Sequence, residues 1–246
     1  MALREELEAT GLKLFRWRSY FPLFLLFLLI PAIASFRYPD GRHSLDLFWE
    51  AACFSISLLG LLVRAIAIGY VPSGTSRRGT RAPHAEALNT SGMYSALRHP
   101  LYLGNYLMWL GVTMFPRVWW CPVITSFAFF IYYERIMFAE EEFLRRKFGA
   151  QWLDWASRTP AIIPSIRSWK STGLRFSLWN VLKREYSALF ALVASFTFLE
   201  IVGDFFARGE LTVDVVWGAT FATSAVLWIV LRSLKGKTKL FGVTLR

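Results

Sequence analysis

The chain has 246 residues, 55% of them hydrophobic and 17% aromatic but only 18% charged, with a formal charge of +11. The apolar residues fall in long blocks, which point to lipid as solvent and exclude an ordinary soluble core. The basic residues lie between those blocks and form no continuous stripe, so the positive charge is a matter of membrane topology and nucleic acid is not an expected partner.

Lipid-facing backbone must satisfy its own hydrogen bonds, and the alternation of barrel strands is absent, so the expected class is all-α and polytopic. Residues 1–19 set Leu3, Leu7, Leu14 and Phe15 among charges at helical spacing, as in an interfacial amphipathic segment. Apolar blocks over 20–36 and 47–70 predict the first two spans. Blocks over 101–115 and 118–138 are separated only by Pro116-Arg117 and predict a tight helical hairpin, while 187–206 and 212–231 predict a C-terminal pair. The count is about six spans, in a chain organised as 1–19, 20–70, a core over 71–170, and 171–246.

Of the 28 Lys and Arg residues, 23 lie in 1–19, 71–100, 135–186 and 232–246; Arg37, Arg42, Arg117 and Arg208 lie on the other side, and Arg64 lies inside a span. This bias places both termini and both long loops in the cytoplasm, at a bacterial inner membrane or, in a eukaryote, the endoplasmic reticulum. Arg64 is expected to snorkel towards headgroups, and Glu200 and Asp204 to have interfacial or bundle-stabilising roles. Cys53 and Cys121 lack the close pairing of a redox or zinc motif and read as small hydrophobes; no metal site is expected.

The two long cytoplasmic stretches are where chemistry is expected. The first ends with Arg98 and His99 immediately before Pro100, which disfavours helix at His99 and suits the first turn of the helix that follows. Cations beside free backbone amides suit an anionic substrate or cofactor. The second carries Glu140, Glu141 and Glu142 as the fourth span ends. On a helix these point about 100° apart, so one or two should turn towards the hairpin and the Arg98 loop.

Together the two stretches resemble the isoprenylcysteine carboxyl methyltransferase and phospholipid methyltransferase superfamily. The hallmark G-x-Y-x-x-x-R-H-P-x-Y-x-G is matched by Gly92, Tyr94, Arg98, His99, Pro100, Tyr102 and Gly104. The later E-E-x-x-L-x-x-x-F-G is matched by Glu140, Glu141, Leu144, Phe148 and Gly149, with Trp152 where the family usually has Tyr. Arg158, Pro160 and Pro164 match its R-x-P-x-x-x-P ending. The resemblance implies S-adenosylmethionine as methyl donor, bound without a soluble nucleotide-binding fold in a cytosol-facing pocket. It implies that Tyr94, His99, Leu101, Tyr102, Gly104 and Glu140 contact the cofactor, and that Arg98 and Glu141 flank the transfer point.

The acceptor is then expected to be a membrane lipid or lipidated molecule. A carboxylate or phosphate oxygen needs no base, whereas the amine of phosphatidylethanolamine would need one, for which Glu141 is available. Arg77 and Arg78 lie in a Gly, Ser and Thr-rich loop suited to phosphate and, with Arg158, are the candidate substrate-binding residues. That loop looks like a bacterial subgroup acting on phosphorylated glycolipids such as lipid A. Membrane reductases that bind NADPH share the R-H-P-x-Y-x-G element but typically lack the two acids, and a non-enzymatic scaffold would bind no cofactor at all.

Overall fold

The computed structural model describes residues 2–18, 20–37, 43–71 and 83–237. Helices α1 (Leu3–Trp17), α2 (Phe21–Ala34), α3 (His43–Gly69), α4 (Met93–Ala96), α5 (Pro100–Met114), α6 (Trp120–Phe148), α7 (Ala150–Arg158), α8 (Leu178–Arg208) and α9 (Val215–Lys237) follow in order. Among the described residues there is no strand beyond one isolated bridge, Gly92 to Lys170. The all-helical class follows from the sequence pattern.

Among the described residues, three helices are long and apolar enough to cross a membrane: Asp46–Gly69, Leu178–Arg208 and Val215–Leu234. The remaining expected spans fall short in different ways. α2 and α5 have 14 and 15 residues, about 21–23 Å at the helical rise, against the roughly 30 Å of a hydrocarbon core. α6 has 29 residues, and its last third is charged because it continues past the apolar block without a break.

α1 does more than lie on a surface. It docks along α6, where a Cβ on Gly11 would stand 2.1 Å from the Arg135 carbonyl, so this position requires glycine. Phe15 is buried with Phe129, Tyr132, Tyr133 and Ile136, and the Tyr132 hydroxyl donates to the Leu14 carbonyl at 2.9 Å. Arg4 pairs with Glu142, and Arg146 with Glu8. The Glu8 carboxyl is held below its usual range by the Arg146 guanidinium.

α3 and α5 cross at backbone contact. A Cβ on Gly60 would lie 2.5 Å from the Gly104 carbonyl, and one on Gly111 would lie 2.3 Å from the Cys53 carbonyl, the close approach that small residues permit between membrane helices. Ser57 Oγ donates to the Met108 carbonyl at 2.9 Å across the same crossing.

The main apolar core gathers Leu29, Ile33 and Phe36 at α2 with Cys53, Phe115, Cys121, Phe196 and Trp217. Both cysteines are buried and free. At this end of the bundle the residues Asp46, Glu50, Glu200 and Asp204 are all buried. Trp217 Nε1 donates to Glu50 at 2.8 Å, Arg117 pairs with Asp46, and Thr212 donates to Asp204. Arg117 reaches Asp46 from the α5–α6 turn with a φ of 61°, a left-handed conformation uncommon outside glycine. Glu200 and Asp204 therefore sit inside the bundle, not at its surface.

Candidate active site

The R-H-P turn is built by local rules and then clamped. Gly92 adopts a φ of 59°, opening the single turn of α4. His99 is the N-cap of α5, and Pro100 takes the first helical position, where its missing amide costs no hydrogen bond. α7 and the chain after it wrap around this turn. Arg98 N donates to the Pro160 carbonyl at 2.9 Å, Ser165 N to the Ala96 carbonyl at 2.9 Å, Gly92 N to the Lys170 carbonyl at 2.8 Å, and Trp155 Nε1 to the Tyr94 carbonyl at 3.0 Å.

The acidic end of α6 meets this turn as helical spacing requires. Glu141 accepts from Arg98 Nη1 at 3.0 Å through one oxygen, and its other oxygen lies 2.8 Å from His99 Nε2. Because a carboxylate only accepts, Nε2 carries the proton of that bond. Glu140 accepts from the Tyr102 hydroxyl at 2.8 Å and stands 3.8 Å from His99 Nδ1. Glu142 points the other way, to Arg4. Burial raises the Glu140 carboxyl above its ordinary value, opposed by His99 and the Tyr102 bond, and raises the Tyr94 phenol to about 12.

These groups line a cavity of about 830 Å³, together with Leu101, Asn105, His84 and Trp155. Arg64, expected to snorkel, instead turns into its wall. Its Nε and Nη2 donate to the two oxygens of Glu185 at 2.8 and 2.7 Å, and Nη1 donates to Asn105. Arg184, Glu185, Ser187 and Ala188 of α8 complete the wall. Beside it, an apolar groove of about 380 Å³ runs between α5 and α6, bounded by Leu103, Tyr106, Phe130, Met137 and Ile162. The two spaces share His99, Tyr102 and Tyr133.

Of the residues expected at the site, Tyr94, Arg98, His99, Leu101, Tyr102, Glu140 and Glu141 line the cavity. Gly104 does not; it is buried against α3, where a Cβ would come within 2.4 Å of Arg64 Cγ. Its role in this structure is to let the arginine stem pass. Arg158 is exposed and paired with Asp154, away from the cavity. Arg77 and Arg78 fall outside the described residues. Sequence reasoning did not anticipate Glu185 or Arg184, and the available signal was the intramembrane Arg64, which needs a buried acid nearby.

Residues 52–151 match the family model described as phospholipid methyltransferase. A nickel-cobalt-cadmium resistance protein of Alcaligenes xylosoxydans xylosoxydans is 28% identical over 132 residues, covering 53% of this chain and 59% of that protein. Protein-S-isoprenylcysteine O-methyltransferase B of Arabidopsis thaliana is 29% identical over 158 residues, covering 60% of this chain and 75% of the relative. A cobalt-zinc-cadmium resistance protein of Cupriavidus metallidurans is 33% identical over 94 residues, covering 38% of this chain and 41% of its own length. The chain thus spans about three fifths of the first of these relatives. No solved structure matches. The matched segment carries Arg98, His99, Tyr102, Glu140 and Glu141 together, and over it the central region of this chain is similar to the phospholipid methyltransferase family and to an isoprenylcysteine O-methyltransferase.

Proposed function

We propose that this chain is a membrane methyltransferase that moves the methyl group of S-adenosylmethionine to an anionic oxygen of a lipid or lipidated acceptor. The observation that carries this reading is Arg98. Its Nη1 is committed to Glu141, while its Nε is fully buried and has no hydrogen-bond acceptor. A buried guanidinium N–H without an acceptor is costly, and the Arg98 side chain lines the cavity, where an anionic oxygen would meet its charge.

The residues present fit the proposed donor. Its sulfonium and ammonium groups are cations, and the cavity places Glu140 and Glu141 on one wall and Tyr94 and Trp155 among its aromatic lining. When bound, the donor supplies a methyl on positively charged sulfur, so that an acceptor oxygen forms the O–C bond as the C–S electron pair returns to sulfur. Such an acceptor is already ionised, and the work left to the protein is alignment and exclusion of water. Arg98 holds the anion, Glu141 fixes Arg98 and His99 through its two oxygens, and Tyr102 fixes Glu140. The apolar groove that meets the cavity at His99 and Tyr102 supports an acceptor whose hydrocarbon chain stays in lipid. The name of the Arabidopsis relative agrees with a carboxylate acceptor. Six spans with both termini cytoplasmic is the topology proposed with it.

A second reading, methylation of a lipid amine, draws on Glu140. Its raised pKa suits a base better than Glu141, whose two oxygens are already engaged. Calorimetry on the detergent-purified protein, with S-adenosylmethionine and separately with NADPH, tests the class: binding of the former alone is expected, and binding of NADPH alone would move the chain to the reductases. Transfer of labelled methyl into lipid extracts, followed by mild base, which releases methanol from a carboxyl methyl ester and spares an N-methyl, then distinguishes a carboxylate acceptor from an amine.

A further inference from the structure

Residues 155–184 contain no Asp or Glu and six basic residues, Arg158, Arg167, Lys170, Arg175, Lys183 and Arg184. Between those cations the chain exposes large apolar side chains, Ile163 at 78%, Ile166 at 85% and Trp169 at 46%. Arg167, Lys170 and Arg175 are exposed as well. In water this combination would be a liability, since apolar groups of this size are not normally displayed in sequence.

The placement of the segment removes that objection. At its start, Ile162 forms part of the rim of the apolar groove between α5 and α6. At its end, Ser177 N donates to the carbonyl of Gly69 at 2.9 Å, Gly69 being the last residue of the span Asp46–Gly69. Phe176 packs edge-on against Tyr70 at 5.2 Å, and the next span begins at Leu178. The segment therefore runs from the rim of the apolar groove to the ends of two helices long and apolar enough to cross a membrane, which is where a headgroup layer would lie. Trp and Ile beside Arg and Lys are the side chains suited to that layer.

We propose that residues 162–176 form a docking face for anionic phospholipid headgroups. A zwitterionic surface would accept the apolar side chains but would not concentrate around the cations, and it is the absence of any acid over thirty residues that selects an anionic surface. The face is not a detached loop. Ser165 N to the Ala96 carbonyl, Gly92 N to the Lys170 carbonyl, and Lys170 N to Ser95 Oγ at 2.8 Å tie it to the turn that carries Arg98 and His99. Lipid engagement is thereby joined to the position of that turn. The inference stands on its own geometry and does not require the methyl-transfer reading.

The test is a depth measurement in the membrane-reconstituted full chain. A nitroxide is attached to Ile166→Cys, the native Cys53 and Cys121 being buried, in nanodiscs of phosphatidylcholine alone or with phosphatidylglycerol. The expected result is a several-fold fall in accessibility to a water-soluble nickel chelate when phosphatidylglycerol is present, and loss of that response in the triple variant Arg167→Gln, Lys170→Gln, Arg175→Gln. The variant with lysine in place of Arg167 and Arg175 should keep the response and serves as a folding control. Equal chelate accessibility in the two membranes, or an undiminished response in the triple variant, would overturn the proposal.

Discussion

Both oxygens of Glu141 are engaged, one by Arg98 and one by His99, so this carboxylate fixes two neighbouring side chains of the R-H-P turn at once. Arg98 is suited to its place by its planar fork of donors, which lysine lacks. Arg98→Lys is expected to lower single-turnover methyl transfer by about 10²-fold, the loss typical of removing one donor from a charged transition state, with the melting temperature little changed. Glu140 makes a separate prediction. Its folded-state pKa is raised, so its contribution to stability is fully present below the ordinary carboxylate value and is lost as pH rises through the folded value. A cationic donor prefers the ionised form. Donor affinity, and the thermal stabilisation it brings, should therefore rise with pH above the ordinary carboxylate range, and Glu140→Gln should flatten the rise in a calorimetric pH series.

At the scale of elements, the α3–α5 crossing decides where the site lies. Gly60 and Gly104 let the two backbones touch, and Arg64 passes over Gly104 on its way to Glu185. Gly104→Ala would place a methyl 2.4 Å from Arg64 Cγ and 2.7 Å from the Gly60 carbonyl, and backbone cannot yield as a side chain does. The expected cost is about 1–3 kcal/mol by the usual penalty for overpacking, read as a lower melting temperature in detergent together with weaker donor binding. If Gly104 served cofactor contact alone, binding would fall with stability unchanged. The glycine of the signature was legible in the sequence, but its neighbour was not, because nothing in local spacing says which helix packs against which.

Across the whole molecule, α8 is joined to the core by a charge pair inside the bundle. The Arg64 and Glu185 side chains are 19% and 5% exposed, and the pair lies at the wall of the cavity. Removing one partner of such a pair leaves a buried charge uncompensated. Glu185→Ala is expected to cost about 3–5 kcal/mol, and the double variant with Arg64→Ala should be less destabilised than the sum of the two, as measured by a double-mutant cycle on detergent-solubilised protein. The same geometry makes α8 part of the cavity wall although the family match ends at residue 151.

Composition and block length by themselves determined the helical class, the membrane setting and the hairpin, because solvation by lipid leaves backbone few alternatives. Short-range chemistry likewise placed Arg98 and His99 at the start of a helix and turned two of three adjacent acids towards them, since both follow from the identity of proline and the pitch of a helix. The α5 block was short in the sequence and its helix has 15 residues, while α2 ends after 14, three fewer than its block. Only the tertiary structure decided that Arg64 faces Glu185 and not the headgroups, that α1 docks on α6, and that Glu50 and Glu200 share a buried end of the bundle. Those contacts join residues more than a hundred positions apart. Their pairing is set by which helix faces meet, a property of the packed bundle that no local pattern of residues encodes.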